Sequence, residues 1–121
     1  MERTVMMQLK NWKNSQFRKP LILTGARQVG KTYVLKEFGK KEFKNVAYVN
    51  CDNNPDVRSL FDEDYDMKKV LMIIGAITKQ PIVPGETLII LDEIQELPRG
   101  LSSLKYFCEE IPEYHVVVAG S

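Results

Sequence analysis

The sequence predicts an α/β fold with three layers: a parallel sheet in the middle and helices on both of its faces. Short apolar runs alternate along the chain with segments of helical periodicity. The runs at 21–23, 46–49, 87–91 and 115–119 contain few polar residues, which is typical of strands buried on both faces. Strands joined by helices imply right-handed crossovers. A chain of 121 residues supplies one such domain.

The first elements are an amphipathic helix and a short strand. Apolar spacing predicts a helix that ends near residues 14–15, and Pro20 then opens the first strand. The inward face of this helix is marked by Val5, Leu9 and Trp12.

A glycine-rich motif of the pattern G-x-x-x-x-G-K-T directly follows the first strand. Two glycines let the backbone wrap closely around phosphate oxygens, and the unpaired N–H groups at the start of the next helix face the anion. The lysine supplies a mobile cation for the β- and γ-phosphates, and the threonine hydroxyl suits the oxygen shell of Mg²⁺. We therefore predict a phosphate-binding loop formed by Gly25, Ala26, Arg27, Gln28, Val29, Gly30, Lys31 and Thr32.

The helix behind this loop is predicted over 31–39, with Gly39 as its stop, and a second strand over 46–49. Turn residues occupy 53–56, and Asp66 can then cap a third helix. The inward residues of these two helices are Val34, Leu35 and Phe38 in the first, and Val70, Leu71, Ile74 and Ile77 in the second.

Two adjacent carboxylates follow the third apolar run. Asp92 and Glu93 come directly after 87–91, at the carboxyl end of a buried strand, where ligands collect in open α/β sheets. Asp92 is predicted to hold Mg²⁺ through water, and Glu93 to orient and activate the water that attacks the γ-phosphate. Strands commonly end in charged loops, so this interpretation depends on the phosphate-binding loop that precedes it.

The last predicted elements are a helix after residues 98–100 and a strand over 115–119. The inward residues of the helix are Leu101, Leu104, Phe107 and Cys108.

Composition indicates a cytoplasmic globular domain. The net charge is +1, so no overall field draws the chain to nucleic acid or to a membrane. No segment approaches the roughly 18 apolar residues of a membrane span. The two cysteines, Cys51 and Cys108, have no metal-ligand spacing and are expected to be reduced and structural.

Four motifs in order resemble the AAA-type ATP-binding proteins of bacteria and archaea: residues 25–33, 91–95, 104–107 and 119–121. The resemblance implies a P-loop NTPase core with about four strands in the order 1-4-3-2, and ATP and Mg²⁺ as its ligands. It extends the nucleotide-binding segment to Tyr33. It also implies that Ser121, at the tip of the fourth strand, senses the γ-phosphate. The alternative for Ser121 is a serine with no role.

In proteins of this type the domain continues through a fifth strand and a helical lid to a second domain. We therefore expect 1–121 to be the N-terminal part of an AAA-type ATPase domain, with its phosphate-loop strand at a sheet edge. An arginine finger usually comes from a lid or a neighbouring subunit, and no residue here is assigned that role.

Two functions remain open at this stage. The first is an ATPase that drives rearrangement of a larger protein, and the second is an ATP-binding switch or assembly module without hydrolysis. A GTPase is disfavoured because the chain has no Asn-Lys-x-Asp segment, and a small-molecule kinase would need a lid and an acceptor pocket. A second copy or another protein is a compatible partner, since the fold does not choose the client.

Several other polar and aromatic residues are assigned structural roles. Arg27 is expected to face solvent or to be structural, with a contact to phosphate or to a partner as the alternative. Arg99 and Lys105 are expected to be solvated charges at helix ends rather than ligands. Trp12 and Tyr106 are expected to pack in the core, and His115 to pack or to be hydrated rather than to catalyse.

Overall fold

The structure, a computed structural model, describes residues 2–15, 20–23, 31–52, 57, 66–97, 99–100 and 102–120. Four helices lie within these ranges: α1 (Glu2–Lys13), α2 (Lys31–Glu42), α3 (Met67–Thr78) and α4 (Ser103–Glu110). A 3₁₀ turn covers Ile94–Glu96. The predicted turn at 53–56 and the predicted inward residue Leu101 lie outside the described residues. None of the helices described is long and apolar enough to cross a bilayer.

The described strands form one parallel sheet in the order β1-β4-β3-β2. They are β1 (Leu21–Leu23), β2 (Asn45–Asn50), β3 (Thr87–Asp92) and β4 (His115–Ala119). This arrangement confirms the predicted parallel sheet and the order 1-4-3-2. β3 and β4 occupy the centre of the sheet and are buried along their whole length, which explains their apolar sequences. Within the described part of the chain, β1 is an edge strand.

Helices cover both faces of the sheet, as predicted. Because side chains alternate along a strand, Leu88 and Ile90 of β3 face α1 and α2, whereas Ile89 and Leu91 face α3 and α4. The helical residues buried in the first layer are Leu9, Leu35 and Phe38, and those in the second are Val70, Ile74 and Phe107. The sheet therefore carries an apolar core on each face.

The prediction that Gly39 ends α2 is wrong. The helix continues to Glu42, and the N–H of Phe43 donates to the carbonyl of Gly39 at 3.0 Å. Gly39 is buried where the helix crosses the sheet: a Cβ atom there would overlap Cγ2 of Val46 and lie 3.1 Å from Cδ2 of Leu88. The glycine permits this close approach, and a sequence pattern alone does not separate that role from a helix stop.

Other local predictions are confirmed. The Asp66 side chain accepts a hydrogen bond from the N–H of Lys69 at the start of α3, and Lys79 ends the helix in the left-handed conformation, with φ of 57°. His115 is buried, with its ring 5.6 Å from that of Trp12 and 5.0 Å from that of Phe43 between centroids. It is thus a packing residue.

Candidate functional site

The threonine of the glycine-rich motif contacts Asp92, the first of the two adjacent carboxylates predicted to act with it. Asp92 shares a face of β3 with Leu88 and Ile90, so its side chain lies on the side of the sheet that α2 covers. Thr32 lies in the first turn of α2, and its Oγ1 donates to Oδ2 of Asp92 at 2.7 Å. Two residues that are 60 positions apart in the chain thus form one polar site.

The Asp92 carboxylate receives two further hydrogen bonds. The phenol of Tyr48 donates to Oδ2 at 2.6 Å, and the N–H of Glu93 donates to Oδ1 at 2.9 Å. Asp92 is only 5% exposed, and burying an ionised carboxylate is costly unless its oxygens are hydrogen-bonded. Three donors satisfy that requirement and set the orientation of the group.

Tyr48 is a site residue that the sequence analysis missed. It lies on β2, pairs in register with Ile90 of β3, and shares the α2 side of the sheet with Asp92. Burial, and then the hydrogen bond to Asp92, raises the pKa of the phenol, so the hydroxyl is a protonated donor at neutral pH. The ammonium of Lys36 lies 4.1 Å from the centroid of the Tyr48 ring. The predicted strand order, combined with side-chain alternation, was the signal that could have found this tyrosine.

Glu93 begins the segment after β3 in a left-handed conformation, with φ of 56° and ψ of 46°. For a residue other than glycine this conformation costs about 1–3 kcal/mol and is often found at functional sites. Its Oε2 accepts a hydrogen bond from Nε2 of Gln95 at 2.7 Å. Gln95 is the second residue whose contact the sequence analysis did not predict.

The structure describes some of the other predicted site residues but not all of them. Residues 25–30 and Ser121 lie outside the described residues, and Lys31 is the first residue of α2. Tyr33 follows Thr32 and is 61% exposed. Lys105 is exposed on α4, as expected of a solvated charge.

Cys51 follows β2 directly and is fully buried beside this site. Burial, followed by the negative charges of Asp92 and Glu93, raises the pKa of its thiol to about 12. Both Cys51 and Cys108 are free. A protonated, buried thiol is a poor nucleophile, so Cys51 is a packing residue.

The donor atoms at the end of β3 suit Mg²⁺. The hydroxyl of Thr32 and the carboxylate of Asp92 are hard oxygen ligands. Within the described ranges there is no group of three or more histidine, cysteine or acidic residues that could hold a metal by itself. One carboxylate and one hydroxyl are the kind of protein ligands that Mg²⁺ uses together with substrate phosphates and water.

The parallel α/β fold, with the glycine-rich motif beside the acid at the tip of β3, defines a nucleotide-binding protein of the ATPase type. Residues 17–121 match the family model described as AAA domain, and the chain belongs to that family. A search of curated proteins found none that matches the chain.

Proposed function

We propose that this protein binds ATP together with Mg²⁺ and hydrolyses it. The observation that carries the proposal is the 2.7 Å hydrogen bond from Thr32 to Asp92, which joins the end of the glycine-rich motif to the acid at the tip of β3. In P-loop NTPases a threonine and an aspartate in these positions hold the metal of the bound nucleotide.

The loop before α2 and the first residue of that helix bind the phosphates in this proposal. Backbone amides of 25–30 and the ammonium of Lys31 bind the β- and γ-phosphates, and Tyr33 borders the same site. Thr32 and Asp92 hold Mg²⁺, Asp92 through a water molecule. Bound Mg²⁺ supplies charge neutralisation on the β- and γ-phosphate oxygens.

Glu93 is the proposed general base. Its carboxylate orients a water molecule and takes the proton from it as that water attacks the γ-phosphate. Ser121, which follows the end of β4, is proposed to contact the γ-phosphate. The central position of β4 supports this role. Its tip adjoins the tip of β1, which precedes the glycine-rich motif, and the tip of β3, which ends in Asp92.

The first experiment measures ATP binding by calorimetry with Mg²⁺ and with EDTA. Lys31→Ala is expected to abolish measurable Mg·ATP binding, because the lysine is the mobile cation of the loop. Lys40→Ala, in the last turn of the same helix, is the matched control and should bind as the wild type does. Wild-type affinity in Lys31→Ala would refute the assignment of the loop.

An ATP-binding switch without hydrolysis is the second candidate. The observation that favours it is the 2.7 Å hydrogen bond from Gln95, which occupies Oε2 of the proposed base. Gln95→Ala separates the two functions. If the wild type shows no turnover and Gln95→Ala does, a switch in which Gln95 restrains Glu93 is supported. If the wild type turns ATP over and Gln95→Ala leaves that rate unchanged or lower, a constitutive ATPase is supported.

We further propose a cytoplasmic protein that acts with a second copy of itself or with another protein. The two free cysteines support a reducing compartment. Light scattering with and without Mg·ATP tests self-association: a nucleotide-dependent increase in mass supports a second copy, and a constant monomer mass leaves a different protein as the partner.

A further inference from the structure

We propose that Tyr48 is a positioning residue for the metal site. In this proposal its phenol holds the Asp92 carboxylate in the one orientation that leaves an acceptor position for a water molecule of the metal shell. The inference rests on the proposed function of Thr32 and Asp92, and it assigns a role to a residue on a strand that carries neither motif.

The Asp92 carboxylate has three of its acceptor positions filled and one open. An ionised carboxylate offers about four lone-pair positions, two on each oxygen. The hydroxyls of Thr32 and Tyr48 both donate to Oδ2, at 2.7 and 2.6 Å, which fills that oxygen. The N–H of Glu93 takes one position on Oδ1, at 2.9 Å. One position on Oδ1 remains, which suits a single hydrogen bond from a metal-bound water.

Of the three donors to Asp92, the Tyr48 hydroxyl is the one that supports its orientation independently. The N–H of Glu93 is adjacent in the chain and moves with Asp92, and Thr32 is itself a proposed metal ligand, so neither is an independent support. Tyr48 is anchored in β2, which pairs with β3 along its whole length. Its ring also lies under the ammonium of Lys36, one turn beyond Thr32 on α2. The phenol therefore ties Asp92 to two separate elements.

Removing this hydroxyl has a specific expected consequence. In Tyr48→Phe the ring and its contact with Lys36 can remain, but Oδ2 loses one of its two donors. The carboxylate can then rotate, and the metal loses an oriented partner. Groups that hydrogen-bond to a direct metal ligand typically alter metal affinity by 10–100-fold when they are removed, and Tyr48 acts on a residue that holds the metal through water, so the lower end of that range is expected.

The experiment measures the Mg²⁺ dependence of ATP binding to Tyr48→Phe. At fixed ATP, Mg²⁺ is titrated and its apparent affinity is compared with that of the wild type. ATP binding in EDTA and thermal unfolding without ligand are recorded for the same samples. We expect the apparent Mg²⁺ affinity to fall roughly 10-fold, with ATP binding in EDTA unchanged. Tyr114→Phe, at a half-buried tyrosine packed on the opposite core, is the matched control and should leave all three measurements unchanged.

Two results would overturn the inference. One is a Mg²⁺ dependence in Tyr48→Phe equal to that of the wild type. The other is an equal loss of ATP binding with and without Mg²⁺, because that pattern indicates general damage to the fold. If the phenylalanine variant does not fold, Tyr48→Met also lacks the hydroxyl and fills the space with a flexible apolar side chain. Failure of the wild type to bind ATP in a Mg²⁺-dependent way is a different result, which refutes the proposed function itself.

Discussion

Asp92 shows how a buried charge is accommodated in this protein at the scale of single residues. The carboxylate lies at the end of an otherwise apolar strand and is nearly inaccessible to water. Its three hydrogen bonds come from different elements: Thr32 from α2, Tyr48 from β2 and the backbone N–H of Glu93 from the segment after β3. Such an arrangement satisfies the buried oxygens and orients the carboxylate, which the proposed metal site requires.

Thr32→Val tests the metal role of the threonine. Valine has a similar shape but no hydroxyl, so the variant loses the proposed metal ligand and a donor to Asp92. We expect Mg²⁺ to enhance ATP binding far less than in the wild type, while ATP binding in EDTA is retained. Thr78→Val removes a hydroxyl that donates to the carbonyl of Ile74 at the end of α3, and it provides the control. Equal Mg²⁺ enhancement in wild type and Thr32→Val would remove Thr32 from the metal site.

Glu93→Gln tests the proposed general base. Glutamine has nearly the same shape but cannot accept the proton of the attacking water, so we expect ATP binding to persist and turnover to fall about 10²–10⁴-fold. Steady-state phosphate release and calorimetric binding together measure this. Glu96→Gln, at an exposed position in the 3₁₀ turn that follows Glu93, is the control. Equal turnover by Glu93→Gln and the wild type would assign the base to another residue.

At the scale of elements, the contact of α2 with the sheet positions the site. The helix begins at Lys31, presents Thr32 to the tip of β3, and crosses β2 and β3 so closely that a Cβ atom at Gly39 would meet both Val46 and Leu88. A change in this crossing would shift the first turn of the helix relative to Asp92. The same close packing that stabilises the layer therefore also sets the distance between the two motifs.

Gly39→Ala tests this crossing. The added methyl group would overlap Cγ2 of Val46, whose β-branched side chain cannot easily rotate away. We expect the free energy of unfolding to fall by about 1–3 kcal/mol, as in other overpacked cores. Urea denaturation followed by circular dichroism measures the change.

Gly75→Ala is the matched control for that substitution. Gly75 also lies inside a helix, but an added Cβ would be 3.4 Å from its nearest neighbour, which is ordinary contact. Helix propensity then predicts a gain of about 0.5–1 kcal/mol. If Gly39→Ala had the same free energy of unfolding as Gly75→Ala, α2 would have room to move away from the sheet.

At the scale of the whole molecule, burial of titratable groups links stability to pH. Burial, together with Asp92 and Glu93, raises the pKa of Cys51 from 9.0 to about 12 in the folded protein. Burial also raises the pKa of Tyr48. In alkaline solution the unfolded chain therefore loses these protons before the folded protein does. Because the unfolded state then binds fewer protons, stability falls as pH rises.

The expected window for Cys51 lies between about pH 9 and pH 12. Its contribution to stability is fully present below pH 9 and is lost as pH rises through this window. Chemical denaturation at several pH values up to about 10.5 should show a shallower alkaline decline in Cys51→Ala than in the wild type. Cys108→Ala controls for the loss of a thiol at a half-buried position. If stability declines identically with pH in the wild type and in Cys51→Ala, the thiol has the same pKa in the folded and the unfolded state.

Much of the fold and part of the site followed from sequence because they depend on local periodicity and on short motifs. Uninterrupted apolar runs predicted β3 and β4, and Asp66 predicted the start of α3. Thr32 and Asp92 were both predicted as metal ligands, and the structure brings the two side chains together. The strand order came from the resemblance to AAA-type proteins, because the residues alone predicted a parallel sheet without ordering its strands.

Tyr48, Gln95 and Gly39 acquired their roles only in the tertiary structure. Tyr48 meets Asp92 because β2 and β3 pair in a particular register, and that register is set by packing between segments far apart in the chain. Gly39 was mistaken for a helix end because its neighbours on the sheet are not its neighbours in sequence. The sequence by itself determined which faces are apolar, and it predicted which residues carry phosphate and metal chemistry. The tertiary structure decided which side chains support them, because those contacts depend on the distance and register between elements.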